Sequence, residues 1–161
     1  MCDSVPPSSE TRTSGFSKAT AARKAAAAAQ SAVAYERPSV RVRLDEGPET
    51  RLTVTNFAVA NARFFGGGMK IAPEALVDDG LFDVVAVGDV SALTVLANSY
   101  RLYLGTHLGM QEVRHARARR VRAESASGEA VKLEIDGELA GVLPAEFELL
   151  PKALRVRCPP V

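Results

Sequence analysis

Several short segments of the chain alternate apolar and charged residues with a period of two, and this pattern limits the possible folds most. Three such segments place apolar residues at Val40, Val42 and Leu44, at Val131, Leu133 and Ile135, and at Leu154, Val156 and Cys158. Successive side chains of a β-strand point to opposite faces, so this alternation is typical of strands with one buried face. The sequence therefore predicts a mainly β domain.

Turn residues and apolar runs predict the remaining strands. The segment DEGP at 45–48 predicts a turn that joins the first strand, at 40–44, to a strand at 51–60 as a hairpin. Residues 81–87 are more continuously apolar, and further strands are predicted at 119–124 and 145–149. Together these segments predict a β-sandwich-like domain.

Two helices are predicted beside the strands. Residues 18–34, KATAARKAAAAAQSAVA, are rich in alanine and contain neither glycine nor proline, which favours a helix that ends before Pro38. Residues 91–104 form the second, with Ser91 as its N-cap and Gly105 as its stop. Its apolar residues fall at helical spacing, at Leu93, Leu96, Ala97, Tyr100 and Leu104.

Composition predicts a single domain at 18–161 behind a disordered tail at 1–17, which is polar and rich in serine, threonine and proline. The 161 residues are 47% apolar, and 20 Lys and Arg residues nearly balance 19 Asp and Glu residues. This balance gives no argument for a nucleic-acid partner. With no apolar run near about eighteen residues and no secretory signal, the sequence predicts a cytoplasmic protein. Cys2 and Cys158 are interpreted as unpaired thiols.

The run NARFFGGGMKIAPEALVDDGLFD at 61–83 contains the first candidate site residues. Gly66, Gly67 and Gly68 follow the second predicted strand, where missing side chains let backbone N–H groups approach a ligand or permit positive φ. A flexible or sharply bent loop is the alternative, and the triplet alone favours it.

The corner Asp78-Asp79-Gly80 leads directly into the strand at 81–87. One carboxylate there could join the backbone carbonyls of Leu76 and Leu81 around a hard cation such as Mg²⁺. An ordinary Asp-Gly turn is the alternative, which this segment alone favours.

A second acidic pair, Asp136 and Glu138, lies two residues apart at the end of a predicted strand. If the strand continues, both carboxylates face one side and can act as a general base and its electrostatic partner. A polar hairpin turn is an equally good interpretation of the spacing. His107 and His115 lack a nucleophilic or acidic companion at a suggestive spacing, which favours capping or solvated roles.

The stretch RHARARRVR at 114–122 concentrates positive charge. It could attract anionic phosphate at a membrane surface or on a lipid headgroup. The solvated face and edge of a strand is the alternative, and it is slightly favoured.

Four segments, taken in their order along the chain, resemble the C-terminal domain of the diacylglycerol kinase and sphingosine kinase-like lipid kinases of bacteria. They are GGGMKIAPEALVDDGLFD, a helix ending in YLGTH, LEIDGE and PKALRVRCP. The resemblance covers roughly residues 24–160. It implies a β-sandwich domain of the NAD kinase/diacylglycerol kinase-like fold, which lines a cleft opposite an ATP-binding domain and helps to bind the lipid.

The resemblance also implies roles for individual residues. Leu76 and Leu81 would offer carbonyls, and Asp79 its carboxylate, to a structural Mg²⁺. Glu138 would accept the proton of the lipid hydroxyl as it attacks the γ-phosphorus of ATP, with Asp136 beside it. Asn61 and the glycine loop would lie near the cleft.

The Gly-Gly-Asp-Gly loop of the family's ATP-binding half is not in this sequence. We therefore expect a chain that is inactive alone and that depends on an ATP-binding domain in cis or in trans. The substrate would be a lipid such as diacylglycerol, met peripherally at the membrane. A non-catalytic lipid- or membrane-associating remnant of such a kinase is the alternative.

Overall fold

The computed structural model of the protein describes residues 37–155 and Arg157. The predicted tail at 1–17 and the predicted helix at 18–34 lie outside the described residues. Of the predicted strand at 154–158, Leu154 and Arg155 are described and are not in a strand, while Val156 and Cys158 lie outside.

The described part of the chain is mainly β, as the sequence predicts. It contains one α-helix, α1 (Ala92–Leu104), one short 3₁₀ turn (His107–Gly109) and nine strands: β1 (Ser39–Leu44), β2 (Thr50–Thr53), β3 (Asn56–Ala60), β4 (Phe82–Val87), β5 (Val113–Ala118), β6 (Arg120–Ser125), β7 (Lys132–Ile135), β8 (Glu138–Val142) and β9 (Ala145–Glu148). None of the helical segments within 37–155 has the length and apolar content needed to span a bilayer.

The strands form two sheets and a separate hairpin. One sheet has four strands in the order β2-β1-β6-β9, the other has three in the order β3-β4-β5, and β7 pairs with β8. Every pairing is antiparallel. The predicted hairpin across the turn at 45–48 is confirmed, since Val42 of β1 pairs with Thr50 of β2.

Apolar side chains from both sheets share one core. Val40, Val42 and Val121 of the four-stranded sheet pack with Val84 and Ala86 of β4 in a single buried cluster. These positions alternate along their strands, so polar residues between them point away from the cluster. The predicted β-sandwich is confirmed.

Strand β4 is buried on both faces, which explains its continuous apolar run. Val85 points away from the first core and packs in a second cluster with Ile71, Ala72 and Ala75. Leu102 of α1 packs against this second cluster. The segment after β3 and the helix therefore form a third layer on the three-stranded sheet.

The predicted strand at 51–60 is wrong as a single element, because it is two strands in different sheets. β2 ends at Thr53 and β3 begins at Asn56, and the chain crosses from one sheet to the other at buried Val54. The hydroxyl of Thr55 donates to the carbonyl of Gly88 at 2.8 Å, which holds this crossing against the end of β4. The apolar pattern continues across the break because both halves contribute to one core.

The basic segment at 114–122 is also divided between the sheets. The sequence predicts a strand at 119–124, whereas β5 ends at Ala118 and β6 begins at Arg120. Oδ1 of Asp45 accepts the N–H groups of Arg119 and Arg120 at 2.9 and 2.8 Å, which fixes this corner. β5 and β8 are not among the predicted strands.

The helix caps agree with the prediction. Oγ of Ser91 accepts the N–H of Thr94 at 3.1 Å, and Gly105 adopts a left-handed φ of 78° while its N–H bonds to the carbonyl of Arg101. The apolar residues of the predicted face are exposed, however, since Leu93 and Leu96 lie largely in solvent.

We expect Val121→Ala to lower the free energy of unfolding by about 2 to 3 kcal/mol, because it removes two methyl groups from a fully buried position and leaves a cavity. Urea unfolding followed by circular dichroism measures this loss. Val77→Ala is the matched control at a 68% exposed valine, with an expected change within about 0.5 kcal/mol. Equal losses in the two variants would contradict the placement of the core.

Candidate functional site

The three glycines form the tip of a small bridged loop. Phe65 and Met69 exchange backbone hydrogen bonds of 2.9 and 3.1 Å, and all three glycines between them have positive φ, from 26° to 88°. This backbone explains why glycine is needed there. The sharply bent loop is thus the conformation present, and its tip is exposed, with nothing near the places where Cβ atoms of Gly67 and Gly68 would be. Asn61 is exposed just after β3.

The acidic corner at 78–80 is a turn in which Asp79 is fully engaged. Its Oδ1 accepts the N–H of Leu81 at 2.9 Å, and its Oδ2 forms an ion pair with Arg117 of β5. Gly80 follows with φ of 78°. The Asp-Gly turn expected as the alternative is present, and Arg117 ties it to the three-stranded sheet.

Asp79 and the carbonyls of Leu76 and Leu81 are hard oxygen donors of the kind that Mg²⁺ prefers. These oxygens are of the type that Mg²⁺ uses, but both oxygens of Asp79 are already bonded within the chain, to the Leu81 N–H and to Arg117. Within the described ranges, no group of three or more His, Cys, Asp or Glu side chains could hold a metal by itself. Any cation at this corner depends on backbone oxygens.

Asp83, which sequence patterns do not single out, is fully buried in β4 beside this corner. Its Oδ1 lies 2.7 Å from Nε2 of His115, and its Oδ2 lies 3.8 Å from Nε of Arg117. Oδ2 has no hydrogen-bond partner among the described residues. A buried carboxylate without partners is strongly unfavourable, so the hydrogen bond with His115 and the nearby charge of Arg117 stabilise it.

Arg117 links the two acidic residues. It contacts Asp79 in the turn and Asp83 in the strand, while His115 contacts Asp83 from the neighbouring position on the same face of β5. We call Asp79, Asp83, His115 and Arg117 the β4–β5 charge cluster. The register pairs Asp83 with Arg117 directly, so sheet pairing builds the cluster. In the sequence, the one indication of this cluster is Asp83, an acidic residue inside an otherwise apolar strand.

The favoured interpretations of the two histidines as capping or solvated are wrong. His115 is bonded to Asp83 and only 20% of its side chain is exposed. His107 is buried in the 3₁₀ turn, and its Nε2 lies 3.0 Å from the carbonyl oxygen of Ile71. Through this contact, His107 connects the 3₁₀ turn after α1 to the segment that follows the glycine loop.

Asp136 and Glu138 lie at the tip of the β7–β8 hairpin. Ile135 pairs with Glu138, so Asp136 and Gly137 are the two turn residues, with φ of 51° and 86°. Positive φ at both positions is typical of a type I′ turn, for which Asp-Gly is a preferred sequence. The strand does not continue through Asp136, so the expectation that both carboxylates share one strand face is not met. Both residues are exposed at the hairpin tip.

The β7–β8 hairpin makes no direct polar contact with the acidic corner at 78–80 among the described residues. Its base is held by Val131 and Leu143, which pack partly against the first core and share a 2.9 Å backbone hydrogen bond. Between residues 37 and 155, no hydrogen bond or ion pair joins Asp136 or Glu138 to Asp79 or to the glycine loop. Within the described residues, the two acidic segments are therefore not joined by a direct polar contact.

The basic segment at 114–122 is largely neutralised by acidic partners. Arg120 lies 3.1 Å from Glu148, and Arg122 lies 2.9 Å from Glu124. The hydrogen bond to Glu148 and its negative charge raise the pKa of Arg120 above its usual value. With His115 and Arg117 in the charge cluster, this pattern supports the solvated strand as the better interpretation of the segment.

Comparison with protein families identifies one match that covers nearly the whole chain. The model of the YegS C-terminal NAD kinase beta sandwich-like domain matches residues 9–158. Its description agrees with the two packed sheets of the structure.

Curated relatives match about two thirds of the chain. A diacylglycerol kinase of Mycobacterium tuberculosis is 34% identical over 108 residues, which are 67% of this chain and 33% of the relative. A probable lipid kinase YegS-like protein of Xanthomonas euvesicatoria is 36% identical over 101 residues, which are 63% of this chain and 32% of the relative. The chain spans about a third of the length of the curated relatives it matches.

A solved structure of a diacylglycerol kinase from Bacillus anthracis superimposes with a TM-score of 0.54 at 19% identity. The match covers 78% of this chain and 44% of that one. At this identity the likeness shows the shared fold alone.

We expect Asp83→Asn to lower the free energy of unfolding by about 1 to 3 kcal/mol, because it places an amide NH₂ at a fully buried position beside Arg117 and weakens the hydrogen bond with His115. Thermal or urea unfolding measures the loss. Asp78→Asn removes an exposed carboxylate five residues earlier and should change the stability by about 0.5 kcal/mol or less. If Asp83→Asn unfolds like the unmodified protein, the buried charge cluster is wrong.

Proposed function

Because the chain belongs to the YegS C-terminal NAD kinase beta sandwich-like domain family, we propose that it is the substrate-side domain of a lipid kinase. In this role it contributes to ATP-dependent phosphorylation of a lipid hydroxyl. The observation that carries the proposal is the exposed carboxylate pair at the β7–β8 hairpin tip, in a domain whose named relatives are diacylglycerol kinases.

Glu138 is the proposed general base. Its carboxylate takes the proton from the lipid hydroxyl as the hydroxyl oxygen forms a bond to the γ-phosphorus, while the bond to the β-phosphate oxygen breaks and ADP leaves. Phosphoryl transfer needs mainly positioned reactants, charge compensation and a carboxylate oriented toward the nucleophile. The position of Glu138 at the first residue of β8 holds its backbone in the ladder opposite Ile135.

Asp136 is proposed to lie beside Glu138 in the same cleft. As a turn residue with φ of 51°, it occupies a position that its short side chain tolerates well. Exposure of both residues leaves them free to meet a second domain. In the proposed enzyme an ATP-binding domain, supplied in cis or in trans, closes the cleft over them.

Asp79 and the carbonyls of Leu76 and Leu81 are proposed to hold a structural Mg²⁺. When bound, the ion supplies positive charge that offsets the carboxylates at this end of the three-stranded sheet. The Leu81 N–H and Arg117 bond both oxygens of Asp79, so a bound ion would share this carboxylate with Arg117. Asn61 and the exposed glycine loop at 66–68 are proposed to border the cleft that receives ATP.

The substrate is proposed to be a lipid such as diacylglycerol, which resides in a membrane. The reaction therefore takes place at a membrane surface with the protein bound peripherally. A lipid-binding domain without catalytic function is the rival, and it requires no role for Glu138.

We expect the purified chain alone to transfer no labelled phosphate from ATP to diacylglycerol, and a family ATP-binding domain added in trans to restore transfer. In the restored mixture, Glu138→Gln should lower the rate by about a hundredfold or more, because it removes the proton acceptor. Thin-layer separation of the labelled lipid measures the rate.

Glu134→Gln is the matched control for this assay, since it removes an exposed carboxylate from β7 of the same hairpin. It should retain the restored rate. Turnover by the isolated chain, or equal rates for Glu138→Gln and Glu134→Gln, would refute the proposed division of roles.

We expect millimolar Mg²⁺ to raise the Tm of the chain, because an ion bound only to the folded state stabilises it by mass action. Asp79→Asn should abolish this increase, whereas Asp78→Asn should keep it. Differential scanning fluorimetry with and without Mg²⁺ measures the increase. A Mg²⁺-dependent increase that survives in Asp79→Asn places the cation elsewhere.

A further inference from the structure

Arg117 of β5 lies between two carboxylates. Its Nη2 forms an ion pair with Oδ2 of Asp79 in the turn at 78–80, and its Nε lies 3.8 Å from Oδ2 of Asp83 in β4. The register of the sheet sets Arg117 directly opposite Asp83, so one guanidinium group has both carboxylates within reach. Of the two contacts, the one with Asp79 is a hydrogen bond, whereas 3.8 Å is too long for one.

Asp83 is left with an incomplete set of hydrogen bonds. Its side chain is fully buried, its Oδ1 is bonded to Nε2 of His115, and its Oδ2 has no hydrogen-bond partner among the described residues. A buried carboxylate oxygen without a donor loses its hydration and gains nothing in return. Because the Nε of Arg117 is a donor only 3.8 Å away, a small movement of the guanidinium group would complete the set.

The charges of the β4–β5 charge cluster do not balance. Asp79 and Asp83 carry two negative charges, whereas Arg117 carries one positive charge. His115 adds a second positive charge only when it is protonated. One further cation therefore allows each carboxylate a partner of its own, with the added ion at one of them and Arg117 at the other.

Of the two carboxylates, Asp79 is the one that an ion from solvent can reach. Its side chain is 19% exposed, whereas that of Asp83 has no exposed surface. The hydrogen bond from the Leu81 N–H does not oppose a cation at Asp79, since a carboxylate has several lone pairs to share. Arg117 does oppose it, because two positive charges at one carboxylate repel each other.

From these observations we propose that Arg117 is a positioning residue that sets the affinity of the acidic corner for its cation, by exchanging Asp79 for Asp83 when the ion binds. This inference rests on the proposed function and deepens it, since it assigns the residue that controls the proposed Mg²⁺ site. Without the ion, Arg117 neutralises Asp79 and ties the turn at 78–80 to the sheet. With the ion bound, Arg117 bonds to Oδ2 of Asp83 and leaves the carboxylate of Asp79 to the cation.

The exchange couples the ion pair of Arg117 with Asp79 to ion binding. Separation of this pair opposes binding of the ion, and the new bond to the buried oxygen of Asp83 offsets part of that loss. Such a coupling is reciprocal, so a change that weakens the pair strengthens ion binding by the same factor. Removal of the guanidinium group should therefore raise the affinity of the corner for Mg²⁺.

Titration of the full chain with MgCl₂ at constant ionic strength tests the proposal. Differential scanning fluorimetry and isothermal titration calorimetry measure the concentration of Mg²⁺ that half-saturates the chain. In the variant Arg117→Gln this concentration should fall by about three- to tenfold, because a partly exposed ion pair no longer competes with the ion. Circular dichroism confirms the fold of the variant.

The matched control is Arg114→Gln, which removes the same charge from the same strand but from its opposite face. It should keep the half-saturating concentration of the unmodified chain. Arg117→Lys retains a positive charge beside Asp79 and should keep the weaker binding of the unmodified chain. The proposal is overturned if Arg117→Gln binds Mg²⁺ no more tightly than Arg114→Gln, or if Arg117→Lys binds it as tightly as Arg117→Gln.

Nuclear magnetic resonance of the unmodified chain provides a second readout, which needs no variant to fold. As MgCl₂ saturates the chain, the Nε–H signal of Arg117 should shift and should exchange with solvent more slowly, because this group gains a buried acceptor in Asp83. The Nε–H signal of Arg114 should do neither. An Arg117 signal that stays unchanged at saturation would contradict the exchange of partners.

The same titrations separate this inference from the proposed function. If Mg²⁺ raises the Tm and Asp79→Asn abolishes the increase, but Arg117→Gln binds like Arg114→Gln, the role of Arg117 alone is wrong. If neither the unmodified chain nor Arg117→Gln responds to Mg²⁺, the cation site and this inference are both wrong. Transfer of labelled phosphate that depends on Glu138 would still support the role in a lipid kinase.

Discussion

Burial of β4 on both faces is the constraint on which the rest of the structure depends. Val84 and Ala86 point into the core between the sheets, and Val85 points into the second core beneath α1. One strand thus joins the four-stranded sheet, the three-stranded sheet and the helical layer. Because β4 is held on both faces, the residues at its two ends are also fixed in position. The acidic corner at 78–80, which leads into β4, is therefore held in place.

Because β4 is buried on both faces, a charged side chain at Asp83 is energetically unfavourable unless it has partners. A carboxylate inside such a strand needs polar partners, and β5 supplies them because its register sets Arg117 opposite Asp83 and His115 opposite Val85. Arg117 also contacts Asp79, so charge neutralisation in the sheet extends to the proposed cation site. Stability of the sheet and geometry of the corner are consequently linked through one arginine.

Local patterns predicted the elements that are stabilised locally. The hairpin across the turn at 45–48 and the caps of α1 depend on residues near one another in sequence, and both were predicted correctly. The division of 51–60 and of 114–122 between two sheets was missed, because apolar alternation continues when a chain crosses from one layer of a sandwich to the other. The position of Asp136 in the turn was among the interpretations left open, since spacing does not tell a strand end from a type I′ turn.

The sequence by itself determined the family, the β-sandwich class and the acidic motifs, because these depend on residue types in a fixed order. Tertiary structure alone decided which side chains meet. It paired Asp83 with His115, 32 positions away, and Asp79 with Arg117, 38 positions away. It also turned Leu102 of α1 toward the second core and left Leu93 and Leu96 of the same helix exposed.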